Sequence, residues 1–290
     1  MAFLEKGHVK IYYEDFGEGE PIITTHGLSE DGTYWSETGV TAKLAENYRV
    51  ISMDMRGHGR TRIDGQPFGY DVATMANDFD LIADELGLDK FHILSHATGG
   101  MAAVRYAMTS SERLISLMLT DTGSATVPET PAEFSEIDPE EARQMHLAGA
   151  EFFKSTALEE RNAYVRANPG VFLFKMDEHP EKEEMWQIYE GFVQRQDPVA
   201  VGTFMEQFYA DPNPMVKGLR QIKCPTLVLL GEFDLMFIKP SEILAREIPD
   251  NKHVIIEGIG HMTAIENPLR TIQELSDFLA TVRETGKANP

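Results

Sequence analysis

A chain of 290 residues with 42% hydrophobic content can bury a substantial core as one domain carrying an insertion. Its formal net charge of −21 at pH 7 argues against nucleic acid or an anionic membrane as partner, since both would be repelled, and favours a neutral or cationic ligand. The single cysteine, Cys224, excludes an internal disulfide and reads as a buried structural thiol. No stretch reaches the roughly 18 apolar residues of a membrane span. The start, Met1-Ala-Phe-Leu-Glu-Lys-Gly-His8, has no apolar run behind a basic cluster, so a cytoplasmic setting is expected.

Taken in chain order, residues 8–15 read as an early strand and Gly17-Glu-Gly-Glu-Pro21 as the turn after it. Central strands are predicted at Pro21–Thr25, Arg49–Met53, Phe91–Leu94, Ile115–Leu119, Thr226–Leu230 and His253–Ile256, each ending near a polar or glycine-rich segment. Val72–Leu86 and Leu269–Val282 carry apolar residues at helical spacing and read as covering helices. The alternation predicts an α/β fold, a mainly parallel sheet flanked by helices, in which a ligand sits beyond the carboxyl ends of the strands.

Residues 125–215 break the alternation, with helical patterns separated by Pro128, Pro131, Pro139, Pro169, Pro180, Pro198, Pro212 and Pro214. They are expected to form a helical cap inserted into a core domain of residues 1–124 and 216–290. The cap holds 18 acidic against 7 basic residues, which reads as a solvated outer face. Its inner face can draw on Phe152, Phe153, Phe172, Phe174, Trp186, Tyr189, Phe192, Phe204 and Phe208. Aromatics at helical spacing are mostly core, so only two or three are expected to line a pocket. No internal repeat is present.

The stretch Ser95-His-Ala-Thr-Gly-Gly100 is entered by a β-type run and left by the helix-forming Met101-Ala-Ala-Val-Arg-Tyr-Ala-Met108. Strand, tight turn of small residues and helix are the parts of a nucleophile elbow. At its apex stands Ala97, whose methyl group cannot attack a carbonyl, so the covalent chemistry is expected to be lost while the apparatus around it remains.

Five separated pieces, His26-Gly27-Leu28, Asp54-Met-Arg-Gly-His-Gly59, Ser95-His-Ala-Thr-Gly-Gly100, Gly231-Glu-Phe-Asp234 and Gly260-His261, lie in register with predicted strand ends. Together they resemble the α/β-hydrolase superfamily over most of the chain outside the cap. The resemblance implies the chain order nucleophile, acid, histidine, which falls here on position 97, Asp234 and His261. His261 would move the proton, and Asp234 would fix its tautomer and stabilise its charged form. Asp121, after an earlier strand, is the alternative acid. The resemblance places the oxyanion donors at the backbone N–H groups of Leu28 and Thr98. It makes His26 and the Asp54 loop structural, and turns His96 toward supporting structure.

The residues around position 97 indicate which nucleophile the alanine replaces. Dehalogenases and epoxide hydrolases of this superfamily carry a bulky tryptophan after an aspartate, whereas Thr98-Gly-Gly resembles a serine esterase or lactonase elbow. Ser95 departs from the usual first glycine but is small enough to fit. Two origins are open for the alanine: a serine-to-alanine substitution that traps substrate, or a natural loss that leaves a binding protein. Retention of His261 and both acids favours the first. Removing a triad serine costs about a factor of 10⁶ in turnover, roughly 8 kcal/mol of barrier.

The expected function is therefore that of a serine hydrolase of an ester or lactone, inactive with Ala97 in place. A carbon–carbon bond hydrolase, an amidase and a non-catalytic small-ligand binder are the alternatives. A cap rich in aromatics and in methionines such as Met145, Met176, Met185 and Met205 suggests a neutral, mainly apolar small molecule. Trp35, Trp186 and Met262 are expected to contact it from their loop positions. Without clustered Cys/His ligands or a glycine-rich phosphate loop, neither metal nor organic cofactor is expected. The sequence assigns no oligomeric state.

Overall fold

The computed structural model describes residues 2–65, 68–124, 139–210 and 215–289. Pro128, Pro131, Pro212 and Pro214 lie outside them. Among the described residues nine strands form one sheet: β1 (Ala2–Lys6), β2 (Val9–Phe16), β3 (Glu20–Thr25), β4 (Tyr48–Met53), β5 (Arg62–Ile63), β6 (Phe91–His96), β7 (Leu114–Thr120), β8 (Thr226–Gly231) and β9 (Asn251–Ile256). The order is β1-β2-β4-β3-β6-β7-β8-β9, with β5 on the edge of β2. From β4 to β9 every pairing along this path is parallel, while β1, β2 and β5 pair antiparallel. Each central strand predicted from sequence is present, extended by one or two residues at most ends. The edge strands β1 and β5 are additions.

Covered on both faces, parallel strands carry near-continuous apolar runs, and successive residues feed opposite layers. Ile23, Ile51, Ile93 and Leu117 enter one core with Phe79, Ile82 and Tyr106. Their neighbours Ile22, Val50, Leu94 and Met118 enter the other with Trp35, Leu275 and Phe278. The helix expected over Val72–Leu86 forms as two segments, Val72–Ala76 and Asp78–Glu85, joined by a tight turn at Asn77. Asp71 caps the first by accepting from the Thr74 amide. Arg56 fixes the start of the second through two buried 2.7 Å bonds to Asp78. The C-terminal helix runs Pro268–Thr285.

Among the described residues between β7 and β8 the structure places five helices, Pro139–Ser155, Leu158–Ala167, Gly170–Glu178, Lys182–Gln194 and Pro198–Phe208. Prolines set several of their starts: Pro169 precedes one, and Pro198 opens another behind Asp197, whose carboxylate accepts from the Val199 and Ala200 amides. The first and last helices pack together. Among the described residues, no helix is long and apolar enough to cross a membrane.

Candidate active site

Parallel topology delivers the chemistry to one end of the sheet. His26-Gly27-Leu28 follows β3, Ala97 follows β6, Asp121 follows β7, Asp234 follows β8 and His261 follows β9. Residues dispersed over more than 230 positions thereby meet beyond the carboxyl ends of adjacent strands.

The turn after β6 is abrupt. His96 is still extended, with φ −112° and ψ 142°, and Ala97 already begins the helix Ala97–Ser110 with φ +45°. A left-handed alanine is strained, by about 1–2 kcal/mol, so the surroundings must hold it. The Thr122 hydroxyl donates to the Ala97 carbonyl at 2.6 Å, and the Gly99 amide to the His26 carbonyl at 3.1 Å. Glycine is demanded just beyond: a Cβ on Gly99 would lie 2.5 Å from the His26 carbonyl oxygen, and one on Gly100 would lie 2.6 Å from the Thr122 side chain. Ser95 fits where a glycine is usual because its hydroxyl shares a 2.6 Å bond with Thr25.

The loop after β3 is held as firmly. The Gly27 amide donates to Glu30 Oε2 at 2.6 Å, and Ser29 adopts φ +64°. The Met55 amide donates to His26 Nε2 at 3.0 Å, so the ring proton sits on Nδ1 and is given to the Gly27 carbonyl at 2.8 Å. His26 thus organises its loop. Asp54 does the same for the next, accepting from the Gly32 and Arg60 amides at 2.8 and 2.7 Å. Among the described residues the amides of Leu28 and Thr98 donate to no protein acceptor.

His261 Nδ1 lies 2.9 Å from Asp234 Oδ2, and Asp234 is fully buried. The alternative acid, Asp121, is occupied elsewhere: it accepts from the Thr263 hydroxyl at 2.7 Å and the Gly231 amide at 3.1 Å. Burial and the neighbouring Asp234 raise its carboxyl above the usual range, against the opposing pull of His96. Asp121, Asp234 and His261 are also the cluster among the described residues whose donor atoms lie close enough for a metal, within 4.8 Å of one another. Within it, Asp121 already accepts from Thr263 and Gly231, and Asp234 Oδ2 is taken by His261 Nδ1.

His96 is the residue whose setting sequence reasoning only half anticipated. It is fully buried, stacks on Tyr34 at 4.6 Å, and lies 3.5 Å from both Glu30 and Asp121. Burial would lower its pKa, but the two carboxylates outweigh it and push it up to about 10. The two carboxylates thus favour its charged form between the β3 loop and the β7 end. Glu30 escaped notice because nothing in a linear motif ties it to a histidine 66 positions later.

Ala97, Thr98, Leu28 and His261 open onto one cavity of about 540 Å³, the size of a small-molecule site. Met262 lines it. Trp35 and Trp186 do not. The Trp35 indole N–H is taken by the Thr25 carbonyl at 2.8 Å and that of Trp186 by Asp177 at 3.0 Å, and both rings are core. From the helices between β7 and β8 the lining includes Met145, Phe153, Val165, Phe172, Tyr189 and Met205. Of the nine aromatics singled out there, Phe153, Phe172 and Tyr189 reach the cavity, whereas Trp186, Phe192, Phe204 and Phe208 are core.

Comparison with known proteins places this arrangement. The chain is 25% identical to a putative carbamate hydrolase RutD of Pseudomonas savastanoi pv. phaseolicola, over 89% of this chain and 93% of that protein. It is 29% identical to a putative non-heme chloroperoxidase of Synechocystis sp., over 83% of each. Among solved structures, a thermophilic esterase from Thermogutta terrifontis superposes with a TM-score of 0.77 at 25% identity, covering 94% of both chains. The family model of the alpha/beta hydrolase fold matches residues 20–268. The chain belongs to the α/β hydrolase family.

Proposed function

We propose that the site is that of an ester- or lactone-cleaving hydrolase whose nucleophile position is held by Ala97. The observation that carries this reading is the alanine itself, kept at φ +45° on the strand-to-helix turn and facing the same cavity as His261. Strained non-glycine backbone persists where the surroundings enforce it, commonly for function. A serine there would present its hydroxyl to the cavity, within the field of the His261–Asp234 pair.

In this reading a serine at 97 attacks the carbonyl and His261 Nε2 takes its proton. Asp234 holds the imidazole by its Nδ1 proton, and the Leu28 and Thr98 amides receive the negative charge on the former carbonyl oxygen. His261 then protonates the leaving oxygen. With alanine the acyl-enzyme route is closed. Residues 125–215 act as a cap over a core of 1–124 and 216–290, and the cap's Met145, Phe153, Val165 and Met205 select a neutral, mainly apolar substrate. Support comes from the esterase and the carbamate hydrolase among the similar proteins, both names of carbonyl hydrolysis.

The test is the variant Ala97→Ser, assayed on aryl esters, alkyl esters and lactones, with amides and vinylogous carbon–carbon substrates in the same panel. Ester or lactone turnover should rise by about 10⁶-fold over the alanine chain if the whole triad is restored. A folded Ala97→Ser protein inert toward every ester and lactone would refute the reading.

A further inference from the structure

The helical side of the cavity is mostly apolar, with Met145, Phe153, Val165 and Met205 offering no hydrogen-bonding group. Two tyrosines interrupt it: Tyr189 on the helix Lys182–Gln194, and Tyr209 at the end of the helix Pro198–Phe208. Both rings are held by aromatic neighbours. Tyr189 stands edge-on to Trp186 at 5.8 Å, and Tyr209 stacks with His146 at 4.0 Å and meets Phe208 edge-on at 5.3 Å. The hydroxyls are left over. Neither has a hydrogen-bond partner among the described residues and neither is sealed off, so each opens onto the space that its residue lines. The remaining polar residue of this wall, Asn168, already gives its amide to the Tyr164 carbonyl at 2.9 Å. A buried phenol ordinarily finds a partner for its O–H, and phenylalanine would fill nearly the same volume with no polar atom to satisfy. Burial pushes both phenols well above the usual tyrosine range, so both keep their proton and stand as donors.

We propose that Tyr189 and Tyr209 form a polar subsite that recognises a second, neutral oxygen on the acyl part of the substrate, a ketone or ether oxygen separate from the carbonyl that is cleaved. The inference deepens the site reading given above and rests on it for which end of the substrate lies where. The leaving oxygen takes its proton from His261, so the leaving group lies with the rings beside that histidine, Phe172 at 4.8 Å and Phe237 at 5.4 Å. The acyl part is left the patch where Leu28, Phe153 and Tyr209 pack around Met205. The other hydroxyls on the cavity wall, those of Ser29 and Ser124, belong to the loops after β3 and β7 and so to the reacting end. Charge favours a neutral acceptor: the Glu30 carboxylate acts on Tyr189 more strongly than the Arg161 guanidinium does, and the chain carries a formal −21. Because both rings are fixed before the ligand arrives, little further ordering is needed to make the bonds. A ligand without the oxygen would enter with the phenols still unpaired, which is how a site built for a hydrogen bond rejects the analogue that lacks it. Oxo and alkoxy acyl groups are thus preferred to plain alkyl ones.

The experiment titrates the chain as it stands, by calorimetry, with methyl octanoate and with its 4-, 5-, 6- and 7-oxo derivatives. At least one oxo ester should bind about 3–10-fold tighter than methyl octanoate, the gain from pairing a donor that is otherwise unpaired. In the double variant Tyr189→Phe/Tyr209→Phe that ratio should collapse to about one, with the single variants between. Thermal melts check that each variant is folded. The subsite is wrong if no ester binds, if no oxo ester gains over methyl octanoate, or if the folded double variant keeps the ratio. Turnover by Ala97→Ser, measured on the same esters, separates this outcome from the fate of the site reading. If Ala97→Ser cleaves plain and oxo esters equally well, the subsite fails and the hydrolase reading stands. If Ala97→Ser is inert while the oxo preference and its loss in the double variant both hold, the subsite stands and the hydrolase reading fails.

Discussion

On the sheet side of the cavity, position is fixed by short, directional bonds: Glu30 on the Gly27 amide and Thr122 on the Ala97 carbonyl at 2.6 Å, Asp234 on His261 at 2.9 Å. On the helical side, Met145, Phe153, Val165 and Met205 offer apolar surface whose attraction has no preferred direction. The first kind of wall can hold atoms to the tolerance that chemistry needs. The second can exchange one shape for another at modest cost, as methionine-rich surfaces do. Reaction class should therefore reside in the floor and substrate choice in the roof. The two are tied by Gln196, whose amide donates to the Glu30 carbonyl at 3.0 Å and accepts from the Gly59 amide at 2.9 Å, and by Arg195 on Asp31 at 2.7 Å.

Substitutions can break this contrast in graded steps. In an Ala97→Ser background, Asp234→Asn should lower kcat by about 10⁴-fold through the wrong histidine tautomer, whereas Asp121→Asn should act mainly on stability. Steady-state kinetics of the pair separates them, and equal losses would erase the distinction between the acids.

Removing the buried cation by His96→Ala leaves Glu30 and Asp121 facing each other without compensation. Breaking a buried pair costs about 3–5 kcal/mol, which a denaturant titration reads as a lower midpoint. The same residue sets a pH dependence. Its folded pKa, about 10, lies above its ordinary value of 6.5 because Glu30 and Asp121 face it, with the Tyr34 and His261 rings and the Thr120 hydroxyl as its other neighbours. Its contribution to stability is full below pH 6.5 and is lost as pH rises toward about 10. Thermal melts of the parent and of His96→Ala across that window should converge at the alkaline end, and parallel curves would show that His96 carries no such charge.

Smaller effects belong to the roof. Met205→Ala should raise KM about tenfold with kcat nearly unchanged, the signature of lost apolar binding. A matching loss in kcat would mean that the roof positions the reacting atoms too. Arg195→Ala, which strips a half-exposed guanidinium from the buried Asp31 carboxylate, should cost about 1–3 kcal/mol in a chemical melt.

The floor was more legible in sequence than the roof, for the same physical reason. A tight strand-to-helix turn forces small residues at Gly99 and Gly100, and a histidine and an acid after strand ends leave short local marks. The choice between Asp234 and Asp121 was open because both follow parallel neighbours β8 and β7, and only the three-dimensional path of the β9 loop brings His261 to one of them. Trp35 and Trp186 misled because an aromatic placed by sequence position looks the same whether or not its N–H is already taken, here by Thr25 and Asp177. Edge strands β1 and β5 left little mark, being five and two residues long with mixed burial. The Glu30–His96–Asp121 cluster joins the end of β6 to the segments after β3 and β7, and no single window contains it.

The central claim is that position 97 is the nucleophile position of an otherwise complete hydrolase site. Mass spectrometry of the Ala97→Ser protein after a fluorophosphonate probe tests it most directly. The account predicts one adduct, mapped to the serine at 97 and suppressed when His261 is also replaced by alanine. A folded Ala97→Ser protein that acquires no adduct, or acquires it at another residue, would contradict the account.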